Sequence, residues 1–303
     1  MNEKINNFMQ VASITRYTIN DGKGVGLKVI DCNNGKIRFL LNESKALDIM
    51  QLYHEGVNVS FLSKNAFTLR EINFDNRFEG GMLYTCGFDS VGGRSGYETH
   101  GSFHNTTAEV TRAECNENGI IIEADIRNSA LFGKNLLIKR RVYSEINSSS
   151  VRVSDTLINE AYRPEDYCVL YHVNFGYPML DEGAEIVGDI ESITPRTPWA
   201  EENIATAKLI EKPLPSKEET CYYLQMNEPE ISLINNKLNK KATLKYSGDT
   251  LPCFIEWKSM ASGDYALGLE PTTTLLDDNF EYDTIDAGEK IDFFIEISVD
   301  SII

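Results

Sequence analysis

Alternation of apolar and polar residues with a period of two recurs along most of this chain and restricts the folds open to it. In GIIIEADIR, residues 119–127, the apolar side chains Ile120, Ile122 and Ile126 would share one face of a strand. Because successive side chains of a strand point to opposite faces, this pattern predicts half-buried strands. Short polar turns such as NENG and DAGEK separate the strands, which favours a sandwich or barrel of largely antiparallel sheet. The same alternation runs through residues 151–157, 241–246, 253–258, 265–270 and 291–299.

One segment also fits a helix. Residues 45–56, KALDIMQLYHEG, carry apolar side chains at i, i+3 and i+4 spacing, although the segment is short and could equally form a strand, a turn and a second strand. KPLPSKEET, residues 212–220, resembles a connecting loop, and the chain has no Pro- or Ser-rich linker and no repeat of fixed period. The sequence therefore predicts one large β domain over residues 1–303, whose broad sheet face could seat a ligand larger than an ion.

The net charge excludes some classes of partner, and the cysteine pattern and the N-terminus indicate a cellular location. The chain has 29 basic and 46 acidic residues, a formal net charge of −17. Nucleic acids and anionic membranes need a basic surface, so neither is an expected partner. The six cysteines include no CxxC pair, the N-terminus lacks an apolar signal core, and no run of 18 apolar residues occurs. We therefore expect free thiols and a cytoplasmic, reducing location.

A histidine and an asparagine stand out within one apolar strand pattern. In YCVLYHVNF, residues 167–175, Tyr171 and Val173 belong to the face expected in the core. His172 and Asn174 lie together on the opposite face, just before a Gly-Tyr-Pro bend. His172 could be a core histidine bonded to a backbone carbonyl. Two adjacent polar side chains on one face favour a binding or catalytic site.

A second histidine-containing segment permits two interpretations. YETHGSFHNTTAE, residues 97–109, contains His100, His104 and Glu109. If the segment were a strand, His100 and His104 would face the same way, and together with Glu109 they could bind a metal ion. The neighbouring Gly, Ser, Asn and Thr residues indicate a loop instead.

Two further charged residues are candidates for chemistry or binding. Glu270 in YALGLEPTT shares a strand face with the small residues Ala266 and Gly268, so it is either a strand-end surface charge or a positioned base. Arg77 in FDNRFEGG could be a neutralised surface cation or a donor to sugar hydroxyls. Neither a GxGxxG phosphate-binding turn nor a GxSxG nucleophile elbow is present in the sequence.

Five segments together resemble the aldose 1-epimerase (galactose mutarotase-like) superfamily, and most of all its bacterial branch described as a domain of unknown function. They follow the order of that family over nearly the whole chain. The resemblance implies an all-β fold, a large antiparallel β-sandwich of the galactose mutarotase-like kind, with a sugar bound on one sheet face. The five segments are GGMLYTCGFDSVGG, THGSFHNTTAE, YHVNFGYPMLDEGAE, EWKSMASGDYALGLEPTT and DAGEKIDFFIEI.

The resemblance also implies roles for individual residues. His172 matches the general acid of the family, Glu270 the general base, His100 a second active-site histidine and Arg77 the substrate-binding arginine. The family has one further acidic residue that contacts the sugar, between the second histidine and the glutamate. The candidates for this and the remaining substrate contacts are Asn174, Asp181, Glu182 and Arg196.

The implied reaction is the interconversion of the α and β anomers of an aldose or a related sugar. A base removes the C1 hydroxyl proton while an acid protonates the ring oxygen, and a carboxylate and an imidazolium suit these two tasks. Neither a metal nor an organic cofactor is required, and the expected partner is a small sugar or sugar acid bound by a monomer or homodimer. Two alternatives are a non-catalytic carbohydrate-binding protein on the same fold and a metal-dependent sugar isomerase that uses His100, His104 and Glu109.

Overall fold

The computed structural model describes residues 3–302, which are built mainly of strands. Its helices are short: α1 (Phe74–Arg77), α2 (Pro198–Glu202) and three 3-10 turns at Phe8–Gln10, Ile204–Thr206 and Asp277–Asn279. The strands are β1 (Ser13–Thr18), β2 (Lys28–Asn33), β3 (Ile37–Asn42), β4 (Asp48–His54), β5 (Val57–Asn58), β6 (Leu83–Gly87), β7 (Glu109–Asn116), β8 (Gly119–Ser129), β9 (Asn135–Ser144), β10 (Ser150–Asn159), β11 (Glu165–Tyr167), β12 (Val169–Phe175), β13 (Glu185–Pro195), β14 (Thr220–Asn235), β15 (Lys240–Tyr246), β16 (Cys253–Ala261), β17 (Asp264–Thr272), β18 (Asp283–Ile285) and β19 (Lys290–Ser301).

Two large antiparallel sheets form the sandwich. The smaller sheet has five strands in the order β1-β2-β3-β4-β5. The larger has twelve, in the order β6-β12-β17-β16-β14-β15-β19-β10-β9-β8-β7, with β13 paired to β14. Strands β11 and β18 form a separate two-stranded ribbon. The prediction of a large antiparallel β-sandwich is confirmed. That one domain covers residues 1–303 stays a prediction.

The apolar faces of the two sheets meet in one continuous core. Phe39 and Leu41 of β3 contribute from the smaller sheet, and Ile122 of β8, Ile138 of β9 and Val153 of β10 from the larger one. These residues belong to the alternating segments, so the period-two pattern of the sequence follows directly from burial of one sheet face.

The segment 45–56 forms a turn followed by the strand β4, so its helical interpretation is wrong. Ala46 and Leu47 make a turn with positive φ angles of 47° and 55°, and β4 follows from Asp48. β4 pairs with β3 on one side and with the short β5 on the other. The hydrogen bonds of neighbouring strands outweigh a helical spacing that only a dozen residues support.

A buried ionic network joins the two sheets. The guanidinium of Arg140 on β9 donates to Asp155 of β10 at 2.7 and 2.9 Å and to Asp48 of β4 at 2.6 Å. The hydroxyl of Tyr171 on β12 donates to the carboxylate of Asp155 at 2.7 Å. His104 binds the other side of the Asp48 carboxylate through Nδ1 at 2.6 Å. The charges are therefore paired and hydrogen-bonded, as burial of charged groups requires.

The edge of the larger sheet presents a second face that is turned away from the core. Alternate residues of β12, such as Val173, belong to the core, whereas Leu170 belongs to a separate apolar cluster on the other side. β12 lies between β6 and β17, and β17 is followed by β16. Side chains that alternate with the core residues of these strands therefore form the floor of a cavity.

Candidate active site

His172 and Glu270 lie opposite each other on neighbouring strands of this floor. The pairs Leu170–Thr272 and Asn174–Gly268 set the register of β12 against β17 and bracket the two residues. The Nε2 atom of His172 is 3.2 Å from an Oε1 of Glu270, and both side chains are almost completely buried. The structure thus brings the proposed acid and the proposed base into direct contact.

Gly268 provides the space for this pair. A Cβ atom at position 268 would lie 2.4 Å from Oε1 of Glu270 and 2.8 Å from Cε1 of His172, closer than real Cβ contacts allow. Any side chain at this position would displace one of the two functional groups. The small residue two positions before Glu270, on the same strand face, therefore has a steric role in the site.

Burial controls the protonation of the pair. It raises the pKa of Glu270 well above its usual range, and the nearby carboxylate of Glu219 acts in the same direction. Burial also lowers the pKa of His172 well below 6.5, aided by repulsion from His100. Both shifts favour a neutral pair, a protonated Glu270 carboxyl group beside an uncharged His172 imidazole.

A cavity of about 570 Å³ opens above the pair. This volume is within the range of small-molecule sites. Aromatic rings and polar side chains together form its walls, a combination suited to a ligand with both apolar and hydroxyl-bearing faces. Its lining includes Phe61, Ser63, Lys64, Asn65, Phe74, Asp75, Phe78, His100, His172, Arg196, Glu219, Cys221, Trp257, Ser259, Asp264, Glu270 and Leu276.

His100 enters the cavity from the loop that precedes β7. Its ring lies edge-on to His172 with 5.4 Å between centroids, and it packs on Phe74 at 5.0 Å. Burial, together with the positive charge of Arg196, lowers the pKa of His100 to about 4. The backbone N–H of Gly92 points at its Nδ1 at 3.4 Å, so a neutral His100 carries its proton on Nε2. It can therefore donate a hydrogen bond into the cavity.

Trp257 and Glu219 form a wall that sequence reasoning did not identify. Trp257 on β16 is the cross-strand neighbour of Gly268, and its ring meets that of His172 at 70° with 5.6 Å between centroids. The indole Nε1 donates to the Glu219 carboxylate at 2.7 Å. Trp257 alternates with core residues of β16 and is one of two tryptophans, which could have marked it as a candidate. Glu219 lies in the charged run KEET and gave no such signal.

Two cations of the cavity are held by carboxylates. Arg196, directly after β13, makes a two-pronged ion pair with Asp277 at 2.6 and 2.8 Å. Lys64 pairs with Asp264 at 2.7 Å, with both side chains substantially exposed. The predicted contact residue Arg196 is therefore in the cavity, whereas Lys64 and Asp264 were not foreseen.

Four other predicted contact residues lie outside the cavity. Arg77 at the end of α1 is buried and forms an ion pair with Glu98, two residues before His100. Asp181 lies 3.5 Å from the ammonium group of Lys237, which also binds the backbone carbonyl of Glu182. Asn174 is fully buried, two positions after His172 on the same face of β12. The acidic residues that reach the cavity between His172 and Glu270 in the chain are Glu219 and Asp264.

The proposed metal ligands His100, His104 and Glu109 do not converge. Residues 88–108 form a loop rather than a strand, so the assumption that aligned the two histidines is wrong. His104 stacks on Tyr84 and binds Asp48 and Glu79 through its two ring nitrogens, while Glu109 is exposed at the start of β7. Within residues 3–302, no group of three or more His, Cys, Asp or Glu side chains could hold a metal ion.

The architecture defines a class, that of galactose mutarotase-like β-sandwiches. A proposed aldose 1-epimerase from Klebsiella pneumoniae superposes with a TM-score of 0.85 at 22% identity, over 95% of this chain and 83% of the other. A galactose mutarotase-like protein from Clostridium acetobutylicum has a TM-score of 0.69 at 13% identity, covering 97% and 100%. A proposed mutarotase from Salmonella typhimurium has a TM-score of 0.69 at 12% identity, covering 98% and 96%.

The sequence itself assigns the family. Residues 24–288 match the family described as Domain of unknown function (DUF4432), and the chain belongs to it. The resemblance to the mutarotase-like superfamily, drawn from the five sequence segments, is confirmed at the level of fold. A comparison with curated proteins found no match. In the part of the chain that the structure describes, no helix is long and apolar enough to cross a membrane.

Proposed function

We propose that the cavity binds a sugar and that His172 and Glu270 interconvert its α and β anomers. The observation that supports this most strongly is the 3.2 Å contact between the imidazole and the carboxyl group at the cavity floor. A site that only binds sugar has no need for a buried acid and a buried base in contact, whereas anomerisation needs both. The fold shared with proposed aldose 1-epimerases agrees with this reaction.

The reaction uses one proton held by the pair. With the proton on His172 and Glu270 ionised, the carboxylate takes the proton of the C1 hydroxyl as the imidazolium protonates the ring oxygen. The C1–O5 bond breaks, and C1 becomes an aldehyde. After rotation about C1–C2, Glu270 returns its proton to the aldehyde oxygen while the O5 hydroxyl attacks C1 and gives its proton back to His172. The neutral and ionised forms of the pair contain equal numbers of protons, so transfer across 3.2 Å interconverts them.

Pairing of the charged groups favours an uncharged sugar. Arg196 is already bound to Asp277 and Lys64 to Asp264. The carboxylates of Asp75 and Glu219 add further negative charge to the lining. A phosphate or carboxylate on the sugar would have to displace a paired carboxylate or remain near acidic groups, and either change costs free energy. We therefore propose a free aldose rather than the sugar acid that the sequence left open.

Exchange between anomers tests this function directly. Saturation-transfer NMR on a panel of free aldoses, their 6-phosphates and the corresponding uronic acids should show saturable acceleration by the protein for at least one free aldose. We expect weaker or no acceleration for the charged forms. Binding of a free aldose without any acceleration would support the non-catalytic alternative, and a preference for a phosphorylated sugar would contradict the charge argument.

A further inference from the structure

Four buried polar atoms in and beside the acid–base pair lack a hydrogen-bond partner among residues 3–302. Nδ1 of His172 and Oδ1 of Asn174 belong to β12, and the other two are Oε1 of Glu270 and the hydroxyl oxygen of Tyr84. His172 and Asn174 are two positions apart on β12, so their side chains lie on the same face of the strand. A buried polar atom without a partner is unfavourable, because it has lost its hydrogen bonds to water and gained none in the protein. Such a cost at the centre of a site indicates that one protonation state of His172 pairs its Nδ1 with Oδ1 of Asn174.

The amide of Asn174 is held in one orientation. Its Nδ2 donates to the backbone carbonyl of His172 at 2.9 Å, and its backbone N–H donates to the carbonyl of Met82 at 3.0 Å. Turning the amide over would place its oxygen against the carbonyl of His172, which offers no proton. Oδ1 is therefore fixed as an acceptor, and only a donor can satisfy it.

The imidazole of His172 is oriented as well. Nε2 faces Glu270, so Nδ1 lies on the other side of the ring. A Cβ atom at Gly268 would be 2.8 Å from Cε1 and 3.2 Å from Nδ1, so this edge of the ring lies over Gly268. Gly268 is the cross-strand partner of Asn174. Nδ1 therefore lies in the row of the sheet that contains the Asn174 amide.

We propose that Asn174 is a positioning residue whose Oδ1 accepts the Nδ1–H of His172, which leaves Nε2 as the nitrogen that exchanges protons with Glu270 and the sugar. The catalytic part of this inference rests on the proposed anomerisation, whereas the tautomer of His172 does not. Asn174 would thus act through His172. The sequence predicted instead that Asn174 contacts the sugar. A fixed Nδ1–H is the usual way in which a neighbouring group selects the reactive nitrogen of a histidine.

Three other titratable groups surround the ring. Glu270 of β17 faces Nε2, His100 of the loop before β7 meets the ring edge-on, and Tyr84 of β6 is the cross-strand neighbour of His172. The hydroxyl of Tyr84 is also buried without a partner among the described residues. Its ring packs on His104, Phe74 and Phe78. Tyr84 is therefore the competing acceptor that an experiment has to separate from Asn174.

Nitrogen-15 NMR of the histidine rings measures the tautomer directly, with His172→Asn used to assign the resonance. In the wild type we expect a protonated Nδ1 and an unprotonated Nε2 at neutral pH. Asn174→Leu should move the proton to Nε2, and Asn174→Asp should keep it on Nδ1. The matched control is Asn42→Leu, because Asn42 of β3 is an equally buried asparagine whose side chain has no partner within residues 3–302. It should leave the spectrum of His172 unchanged.

Kinetics on an accepted sugar provide an independent measurement. In metal sites, loss of the outer group that orients a histidine ligand costs roughly 10- to 100-fold. We expect a fall of similar size in kcat for Asn174→Leu, with KM unchanged. Asn174→Asp should restore kcat. In the profile of kcat against pH, it should also raise the apparent pKa of the acidic limb, because a carboxylate stabilises imidazolium.

An unchanged tautomer in Asn174→Leu, or a changed one in Tyr84→Phe, would overturn the proposal. So would a raised KM at constant kcat, since that result belongs to a residue that contacts sugar. If no sugar is anomerised, the NMR comparison still decides the role of Asn174, and only the proposed function fails. If Asn174→Leu does not fold, Asn174→Asp and Tyr84→Phe still decide: Nδ1–H kept in both supports the proposal, and its loss in either contradicts it.

Discussion

Gly268 determines how close the carboxyl group of Glu270 and the ring of His172 can come. Both groups occupy the space that a side chain at position 268 would fill. Because glycine has no side chain, they can approach each other to 3.2 Å. On its two sides the sheet presents Asn174 and Trp257. Four residues from three adjacent strands therefore meet around a single glycine, and the chemistry depends on a position that carries no functional group.

Gly268→Ala is expected to remove activity while the fold persists. The added methyl group would contact Oε1 of Glu270 at 2.4 Å, so the carboxyl group has to turn away from His172. We expect kcat to fall by about 10²-fold or more, since misplacement by about an ångström can cost that much. Thermal unfolding and anomer exchange measure the two effects separately. Gly248→Ala, after β15 and outside the cavity, is the control for glycine replacement, because Gly248 has no positive φ and an added Cβ would come no closer than 3.1 Å to Cβ of Pro229. Activity in Gly268→Ala equal to that of this control would contradict the steric role.

At this scale the sequence was informative where strand alternation applied. It placed His172 and Glu270 on the faces where the structure has them, because alternation in a strand is local. The structure places Asp181, Glu182 and Arg77 outside the cavity, and alternation could not predict this, because their positions depend on loops and on ion pairs with Lys237 and Glu98. Glu219 was missed for the same reason, since its contact with Trp257 joins segments 38 residues apart.

At the scale of elements, strand β16 serves the cavity with one face and the core with the other. Trp257 lines the cavity, while its neighbour Lys258 turns inward below the connection between β13 and β14. The ammonium group of Lys258 donates to the carbonyls of Thr206, Ala207 and Leu209 at 2.6, 3.2 and 3.1 Å. This connection begins at Arg196 and ends at Glu219, so Lys258 fastens the segment between two residues of the cavity wall.

Lys258→Met is expected to loosen the connection between β13 and β14. Three carbonyls would lose their donor inside the protein, which favours local opening of the segment. Hydrogen exchange followed by mass spectrometry should show faster exchange over residues 198–217, and KM for an accepted sugar should rise as Arg196 and Glu219 become less fixed. Lys245→Met on β15, which removes an exposed ion pair with Glu230, is the control and should change neither. Equal exchange in the two variants would contradict the fastening role.

Sequence patterns identified most of the strands but not every element around the site. The alternating segments became β8, β10, β15, β16, β17 and β19 because one face of each is buried. Residues 45–56 fit both a helical and a strand periodicity, and the pairing of β4 with β3 selects the strand. The periodicity of one segment does not reveal which strand it will pair with. The loop that carries His100 has no periodicity, so the direction of its side chains could not be predicted.

At the scale of the whole molecule, the ionic network around Arg140 connects the sandwich. Arg140 is fully buried and binds Asp48 of the smaller sheet and Asp155 of the larger one. Asp48 in turn binds His104, which lies in the same loop as His100. The same buried ion pairs thus hold the two sheets together and hold the loop that carries His100 beside the cavity. No pattern in the sequence indicated this network, because its members are distant in the chain: the directly bonded Asp48 and Arg140 are 92 positions apart.

Arg140→Met is expected to destabilise the protein strongly. It leaves two carboxylates buried without their cation, and breaking a buried ion pair in this way costs about 3–5 kcal/mol. Urea unfolding at neutral pH measures the loss. Arg127→Met is the matched control, because Arg127 forms an ion pair with Glu160 on the surface. Removal of an exposed pair should cost about 1 kcal/mol or less. Similar losses in the two variants would show that the network contributes no more than a surface pair.

The measurement that tests the proposed function most directly is the rate of α/β exchange for one accepted sugar, compared between the wild type, His172→Asn and Glu270→Gln. Acid–base groups of this kind contribute on the order of 10²–10⁴-fold, and we expect a loss of that size in each single variant. The double variant should lose little more than either, because the two groups act as a unit. Asp181→Asn, outside the cavity, should exchange at the wild-type rate. Exchange near the wild-type rate in His172→Asn or Glu270→Gln, with the fold intact, would contradict the assignment.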